Sequence, residues 1–466
     1  MIQSTLSEIA SGLLVDVPSH DVSFVGVGTD SRTIDRGSLY IPLRGEYFDG
    51  HDFVRAALQN GAAGFLWDRT VALPDEFVSM PHLLVQDTLA ALQSLAQWYR
   101  RALPVNVVAI TGSNGKTSTK DLVACVLSVH FTTYKTDGNL NNHIGLPLSI
   151  LRLPKDTQIA VLEMGMNSLG EIKRLCEIAQ PDIGVITNIG EAHIGRLGSR
   201  ANIARAKWEL IESLGSGALA IVPDDEPLIE QLSVPYGVSV WRFGESARAD
   251  VGFTNYGVRD SASLFTLLPE GLHVKLPVLG KHQVCNAVCA LAVAKFLGVD
   301  LTLATAALES VSLTKMRMEI VSVSDEITLI NDAYNAAPSS TYAALDVLKN
   351  LPGDYRIAVL GDMMELGQES ERLHEEVGIA TARSGVNVLL AVGQFADQMV
   401  KGAVGVQPHM EALAVQGIAE AQPILQSWLQ SENRKGKTLI LVKASRSMKF
   451  EQLVKQIVAY DSGHFE

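Results

Sequence analysis

The chain has 466 residues, of which 47% are hydrophobic and 19% are charged, an ordinary globular composition. Its length predicts about three domains. The net charge of −13 argues against a general nucleic-acid binder; without an apolar run of membrane-spanning length or a secretory signal pattern, we expect a cytoplasmic protein.

Residues 1–87 mix short strands, turns and one helix, which predicts a small α/β domain. Segment 30–53 is rich in Gly, Asp and Arg between short apolar pieces, and we expect it to bind a polar ligand. Residues 26–31 (GVGTDS) begin like a dinucleotide-binding fingerprint. Ser31 replaces its third glycine, and Asp30 would lie near the pyrophosphate, so we do not expect a dinucleotide there.

Residues 88–314 predict a central domain built on a parallel sheet. A helix at 88–101 ends before Pro104, and helical patterns separate continuous apolar runs at 105–111, 159–164 and 183–189. Such alternation is typical of a sheet covered on both faces. We expect a β-rich insert next, with a hairpin over 263–280 that turns at 269–271, followed by the helix of Asn286.

Residues 315–466 restart the alternation of strands and helices. The apolar runs predict a second doubly wound, Rossmann-like unit with strands at 327–332, 355–362, 386–393 and 438–444.

One motif predicts the chemistry. AITGSNGKTST (109–119) joins a predicted strand to an apolar helix, as a phosphate-binding loop does, although Ile110 replaces the usual first glycine and the pattern is the shorter G-x-x-G-K-T. The strand–loop–helix context argues against a chance glycine-rich turn. We expect ATP phosphates to bind the run from Gly112 to Ser118, which comprises Gly112, Ser113, Asn114, Gly115, Lys116, Thr117 and Ser118.

Three further side chains are predicted at the same sheet edge. Thr117, Glu163 and His193 each follow or end a predicted parallel strand, and ligands of open α/β sheets bind at the carboxyl ends of strands. A hydroxyl, a carboxylate and an imidazole there suit Mg²⁺ binding. A solvated strand end for Glu163 and an incidental loop position for His193 are the alternatives.

Lys207 lies on the apolar stripe of the helix predicted at 201–214. Two interpretations have equal weight. The side chain snorkels to solvent, or its amine is buried, has a lowered pKa and is used chemically.

Several segments along essentially the whole chain resemble the Mur ligase family of bacterial cell-wall synthesis. They are TGSNGKTS (111–118) and the segments 138–151, 186–199, 204–211, 280–290, 331–340, 360–367 and 441–447. The chain departs from the family pattern at His143, Ala333, Ala337 and Ala444, which bears on acceptor contacts rather than on ATP.

The segments DSRTIDRGSLYIPLRG and LGDMMELG resemble the family branch that adds D-alanyl-D-alanine to UDP-N-acetylmuramoyl-tripeptide. The resemblance implies an ATP-dependent, ADP-forming ligase that makes an acyl phosphate and yields the pentapeptide precursor of peptidoglycan. Residues 1–87 would bind the UDP-sugar peptide, 88–314 ATP and 315–466 the acceptor, in a monomer. The alternatives are a ligase that adds amino acids or polyglutamate, a nucleotide switch or motor that acts on a protein, and a non-catalytic nucleotide-binding scaffold.

The resemblance also implies site residues. Catalysis would involve Lys116, Glu163, His193 and Lys207, with two Mg²⁺ ions held by Thr117, Glu163, His193 and a CO₂-derived carbamate on Lys207. The nucleotide would also contact Asn286, Arg317 and Asp332. The UDP-sugar peptide would contact Asp30, Ser31, Arg32, Asn139, Asn141 and Asn142, for which a plain turn-forming role is the alternative.

Overall fold

The computed structural model describes residues 1–430 and 436–459. Residues 1–87 contain β1 (Gln3–Thr5), α1 (Leu6–Leu13), β2 (Ser23–Val25), β3 (Val27–Gly28), β4 (Leu39–Tyr40), α2 (Val54–Gln59), β5 (Gly64–Asp68), α3 (Asp75–Val78) and β6 (His82–Val85). Strands β1 and β2 pair antiparallel, and β3 to β6 form a parallel sheet.

The expectation of a single helix in this region is wrong, because α2 and α3 are also present. They span 6 and 4 residues, too short to display a helical period in the sequence. After Gly26–Ser31 no α-helix begins until Val54, which agrees with the absence of a dinucleotide motif. The unit is tied to the central region, since Ile2 N donates to Leu151 O at 2.8 Å and Leu6 shares a buried core with Leu95.

The central region is built on one sheet of nine strands. Its elements are α4 (Thr88–Ala102), β7 (Asn106–Thr111), α5 (Lys116–Leu127), β8 (Thr133–Lys135), α6 (Gly145–Leu151), β9 (Ile159–Glu163), α7 (Glu171–Ala179), β10 (Ile183–Ile186), α8 (Ile194–Leu197), α9 (Arg200–Glu212), β11 (Leu219–Pro223), β12 (Ser239–Gly244), β13 (Val251–Arg259), β14 (Ala262–Leu268), β15 (Leu272–Leu276), α10 (Lys281–Phe296) and α11 (Leu301–Leu308). The strand order is β15-β14-β13-β12-β11-β10-β7-β9-β8.

Strands β7 to β13 run parallel. The central strands of this set are fully buried, as expected for a sheet covered on both faces. The predicted hairpin is confirmed by β14 and β15. The predicted β-rich segment of the central domain is present as the antiparallel strands β13, β14 and β15. Strand β13 pairs with β12, so the hairpin extends the central sheet, and Phe253, Phe265 and Val274 join the core under α10.

The C-terminal region contains β16 (Glu319–Ser322), β17 (Ile327–Asn331), α12 (Pro338–Asn350), β18 (Tyr355–Gly361), α13 (Ser370–Arg383), β19 (Val388–Val392), α14 (Ala396–Val406), β20 (Glu411–Val415), α15 (Ile418–Gln430), β21 (Thr438–Lys443) and α16 (Glu451–Ala459). The sheet order is β16-β17-β21-β18-β19-β20, parallel except for β16. Helices cover both faces, which confirms the doubly wound unit.

All four strands predicted in this region are present. The sequence missed the edge strands β16 and β20, whose side chains are mostly half-buried and form no continuous apolar run. No helix within residues 1–430 and 436–459 is long and apolar enough to cross a membrane. The bounds of the three domains stay predictions.

The connection between the central and C-terminal regions is fastened to α5. The buried Asp121 carboxylate accepts hydrogen bonds from Thr314 N and Oγ1 at 2.8 and 2.7 Å and from Lys135 Nζ at 2.7 Å. The buried Lys120 ammonium lies 3.8 Å away. This carboxylate therefore compensates two lysines and fixes the start of the C-terminal unit on the helix that follows the phosphate loop.

We expect Asp121→Ala to lower the free energy of unfolding by about 3–5 kcal/mol, because removing one partner leaves a buried ammonium uncompensated. Urea unfolding followed by circular dichroism would measure the change. Asp156→Asn, at an exposed position, is the control and should stay within about 0.5 kcal/mol of the parent. A similar, small change in both variants would contradict this account.

Candidate functional site

The predicted phosphate loop lies between β7 and α5, with the strand–loop–helix geometry expected. Gly112 has φ +152° and Gly115 has φ +80°, conformations that side chains rarely adopt. A Cβ at Gly112 would stand 1.8 Å from Thr187 Oγ1, and one at Gly115 would stand 2.8 Å from Asn286 Oδ1. Glycine is therefore required here both for backbone conformation and for space.

A second loop, which follows β10, holds the phosphate loop in place. Asn188 Oδ1 accepts from Asn114 N at 3.0 Å, while Asn188 Nδ2 and Thr187 Oγ1 donate to Asn114 O at 2.9 and 2.6 Å. Gly190 N donates to Ser113 Oγ at 2.9 Å. The strand predicted over 183–189 ends at Ile186; Thr187 N still donates to Thr111 O of β7 at 2.9 Å, while the Thr187 side chain and Asn188 bind the phosphate loop.

Free donors face the loop from the start of α5. The helix has no side-chain cap at its N-terminus, so the N–H groups of its first turn are available to an anion. Lys116 Nζ donates to Gly112 O at 2.7 Å, which folds the ammonium back over the loop. Burial lowers the pKa of Lys116, and the charge of Glu163 opposes that shift. A triphosphate would add an anionic partner for this half-buried ammonium.

Glu163 ends β9 beside this loop and is 2% exposed, so the solvated alternative is wrong. Its Oε1 accepts from Asn141 Nδ2 at 2.7 Å. Its Oε2 is buried and has no hydrogen-bond partner among the described residues. Thr117 is also buried, and its Oγ1 accepts from Arg317 at 3.2 Å. Glu163 therefore presents one free carboxylate oxygen to the interior of the site.

Lys207 lies on α9 and is 2% exposed, so the snorkelling interpretation is wrong. Burial moves the pKa of Lys207 well below its usual value, and the nearby Lys116 ammonium lowers it further. Within the described part of the chain its amine forms no hydrogen bond or ion pair. The structure thus places an unpaired amine that favours its neutral form next to the phosphate-loop lysine.

His193 starts α8, in the loop that also holds Thr187 and Asn188. Its Nδ1 forms an ion-pair contact with Glu365 Oε2 of the C-terminal region, and this contact lowers the pKa of Glu365. Across residues 1–430 and 436–459, no group of three His, Cys, Asp or Glu side chains stands close enough to hold a metal. His193 and Glu163 therefore share an edge of the sheet without forming a closed set of ligands.

A cleft of about 580 Å³ opens between the central and C-terminal regions. Asn114, Gly115 and Ser118 line it together with Asn286, Arg317 and Asp332, so predicted nucleotide residues from both regions meet here. The Arg317 guanidinium stacks 3.9 Å above the ring of Tyr334. Asp332 accepts from Lys443 Nζ at 2.5 Å and from Met318 N at 3.1 Å, so both its oxygens already have protein partners.

The predicted contacts to the UDP-sugar peptide lie outside that cleft. Asp30 accepts from the backbone N and guanidinium of Arg32, which lowers the pKa of Asp30 to about 2. Asn142 Oδ1 accepts from Ile144 N at 3.1 Å and from Gly145 N at 2.8 Å, in the turn that leads into α6. These contacts are those of turn-forming residues. Ser31 is buried and Asn139 is exposed, so the two differ in their access to a ligand.

Sequence reasoning missed three cleft residues: Asn188, Lys443 and His282. All three fall in segments that carry the family resemblance, but the roles of Asn188 and Lys443 depend on tertiary partners, Asn114 and Asp332. His282 lines the cleft from the first turn of α10. Burial lowers the pKa of His282 to about 4, so the imidazole is neutral at physiological pH.

We expect His282 to make stability depend on pH. Because its folded pKa of about 4 is below the usual value of 6.5, the unfolded chain takes up this proton first. The free energy of unfolding should therefore fall as pH drops from about 6.5 to 4, by at most about 1.4 kcal/mol per pH unit. Urea unfolding of the parent and of His282→Gln should give a difference that shrinks over this range. His20→Gln, at an exposed position, is the control, and a difference independent of pH would contradict the assignment.

Three family models match successive parts of the chain. They are described as "Mur ligase family, catalytic domain" for residues 23–100, "Mur ligase middle domain" for 110–294 and "Mur ligase, glutamate ligase domain" for 316–446. Together they cover most of the chain in the order in which its sheets occur.

Named relatives match over nearly full length. UDP-N-acetylmuramoyl-tripeptide–D-alanyl-D-alanine ligase of Bacillus subtilis is 40% identical, covering 98% of this chain and 99% of the relative. Its namesake from Escherichia coli is 36% identical over 98% and 99%. A crystal structure of MurF from Acinetobacter baumannii superposes with TM-score 0.88 at 33% identity over 98% and 99%. MurF of Thermotoga maritima in complex with ADP gives TM-score 0.81 at 27% identity over 94% and 98%.

Proposed function

Because this chain belongs to the Mur ligase family, we propose that it catalyses the reaction for which its full-length relatives are named. It is an ATP-dependent, ADP-forming ligase that joins D-alanyl-D-alanine to UDP-N-acetylmuramoyl-tripeptide, a step of peptidoglycan synthesis. The observation that carries this function is the phosphate loop at the mouth of a cleft between two regions, in a chain that matches such ligases from end to end. A monomeric state and a cytoplasmic location stay predictions.

The reaction has two steps whose charges suit the site. An oxygen of the peptide carboxylate attacks the γ-phosphorus of ATP, ADP leaves and an acyl phosphate forms. The amine of the acceptor then attacks the acyl carbon, phosphate leaves and the nitrogen loses a proton. The first step brings two anions together, so the loop amides and Lys116 lower its barrier by neutralising the transferred phosphoryl group. Closure of the cleft would keep water from the acyl phosphate.

The donor set fits Mg²⁺. The buried, unpartnered Glu163 Oε2 and the Thr117 hydroxyl are hard oxygen ligands, and Mg²⁺ needs only one or two protein carboxylates when phosphates and waters complete its shell. We assign Thr117 and Glu163 to one ion. A second ion would lie near Glu163, His193 and a carbamate on Lys207. When bound, these ions supply positive charge to the phosphate oxygens.

The burial of Lys207 supports its carbamylation. A neutral amine can add CO₂, and burial lowers the pKa of Lys207 and so shifts this amine toward its neutral form. The carbamate would place an anion beside the Lys116 ammonium, where the two groups attract each other. A free buried amine without a protein partner has no comparable structural use here.

The finer assignments follow the three regions. We assign residues 1–87 to the UDP-sugar peptide, 88–314 to ATP and 315–466 to the acceptor. Asn286, Arg317 and Asp332 are proposed nucleotide contacts because they line the same cleft as the phosphate loop. Asp30, Ser31, Arg32 and the Asn139, Asn141 and Asn142 positions are proposed peptide contacts on the resemblance alone.

A coupled assay of phosphate release tests the reaction and its acceptor. With UDP-N-acetylmuramoyl-tripeptide and ATP present, we expect D-alanyl-D-alanine to stimulate release and single amino acids to leave it at background. Stimulation by a free amino acid instead would assign the chain to another acceptor. Release driven by a protein partner would favour a nucleotide switch.

Lys116→Ala tests the role of the phosphate loop in the same assay. We expect kcat to fall about 10²–10³-fold, the usual loss when one charge-stabilising group is removed from a transition state. Unchanged turnover would remove the phosphate loop from the mechanism.

We expect Lys207→Ala to lower kcat by at least about 100-fold and added acetate or propionate to restore part of it, because a free carboxylate can occupy the place of the carbamate. Activity of the parent should also rise with bicarbonate. Lys173→Ala, at an exposed lysine, controls for the loss of a positive charge and should behave like the parent. Full activity of Lys207→Ala would leave the buried amine without a catalytic role.

A further inference from the structure

The contact between His193 and Glu365 joins two regions of the chain. His193 lies in the central region, directly before α8, and Glu365 lies in the C-terminal region, between β18 and α13. Nδ1 of the imidazole contacts Oε2 of the carboxylate, and Arg196 stands 3.7 Å from Oε1. Both residues have positive φ, +67° for His193 and +65° for Glu365. The two side chains are thus presented to each other by backbone conformations that side chains rarely adopt.

The backbones of the two loops that carry His193 and Glu365 are also in direct contact. Gly195 N donates to Glu365 O at 2.9 Å. A Cβ on Gly195 would stand 2.6 Å from Gly367 N, and a Cβ on Gly367 would stand 2.8 Å from Gly195 Cα. Glycine at both positions therefore allows a close approach of the two loops. The contact between the His193 and Glu365 side chains is therefore one part of a larger interface between the two loops.

The Glu365 carboxylate can orient the His193 imidazole as a metal ligand. A neutral histidine whose Nδ1 side contacts a carboxylate is held in one ring orientation and tautomer, and its Nε2 lone pair is left free. A partly exposed polar contact of this kind adds little to stability by itself. With side-chain exposures of 23% and 35%, this pair is better suited to orient the imidazole than to hold the fold together.

We propose that Glu365 is a positioning residue that presents His193 to the second metal ion only when the C-terminal region is docked. This inference rests on the proposed function, which places His193 at that ion. It makes a ligand supplied by the central region depend on a carboxylate supplied by the C-terminal region. Formation of the complete metal site is thereby coupled to closure of the cleft that holds the nucleotide.

Titration with Mn²⁺ in the presence of ADP, followed by electron paramagnetic resonance, tests the proposal without turnover. We expect the parent to bind two ions and Glu365→Ala to bind the second one about 10- to 100-fold more weakly, with the first unchanged. Glu365→Gln, which keeps an acceptor oxygen, should recover part of the loss. Glu369→Gln is the control, because Glu369 pairs with Arg372 instead, and it should match the parent.

A double-variant cycle separates positioning from other roles. If Glu365 acts through His193, Glu365→Ala combined with His193→Ala should bind Mn²⁺ no more weakly than His193→Ala alone. Small-angle X-ray scattering of metal-free Glu365→Ala should match the parent, since the contact of Gly195 with the Glu365 backbone remains. Additive losses, parent-like Mn²⁺ binding by Glu365→Ala, one ion in the parent, or altered scattering would each overturn the proposal. A wrong acceptor would instead appear in the phosphate-release assay, with metal binding unaffected.

Discussion

The turn between β7 and α5 sets the constraint on which the rest of the site depends. Its backbone must leave the strand, reverse and enter a helix within four residues while leaving the N–H groups of the first helical turn without a side-chain cap. Gly112 and Gly115 make that path possible, and Thr187 and Asn188 hold it from the neighbouring strand. The cradle is therefore formed before a ligand arrives, which spares the cost of ordering it at the moment of reaction.

Several ionisable groups around the phosphate loop lack a full set of polar partners. Lys207 is buried near the half-buried Lys116, and Glu163 keeps a buried oxygen without a hydrogen-bond partner among the described residues. Buried polar groups are normally paired, so unpaired ones mark a place where a ligand, an ion or a modification completes the set. A triphosphate, divalent cations and a carbamate would satisfy these groups together. The groups that lack partners in the empty site would therefore stabilise the site once its ligands are bound.

The C-terminal region takes part in the site through a few anchored contacts. Asp121 on α5 holds Thr314 in the connection, and Arg317, three residues later, reaches Thr117. Within the C-terminal sheet, Lys443 at the end of β21 fixes Asp332 just after the neighbouring strand β17. Because the connection starts on the helix that carries the phosphate loop, movement of the C-terminal region and the environment of the nucleotide are mechanically linked.

The sequence alone determined the α/β class, the three successive units, the phosphate loop and its resemblance to a ligase family. Each of these depends on local patterns: apolar runs, the spacing of glycines and a lysine, or short segments that resemble the family. It also placed Glu163 and Lys207 in candidate roles, but it left the exposure of both open. Only the tertiary structure decided that both are buried, that the hairpin of β14 and β15 extends the central sheet, and that His193 meets Glu365. Burial and partners separated by more than a hundred residues arise from how elements pack, and no local pattern of residues records that packing.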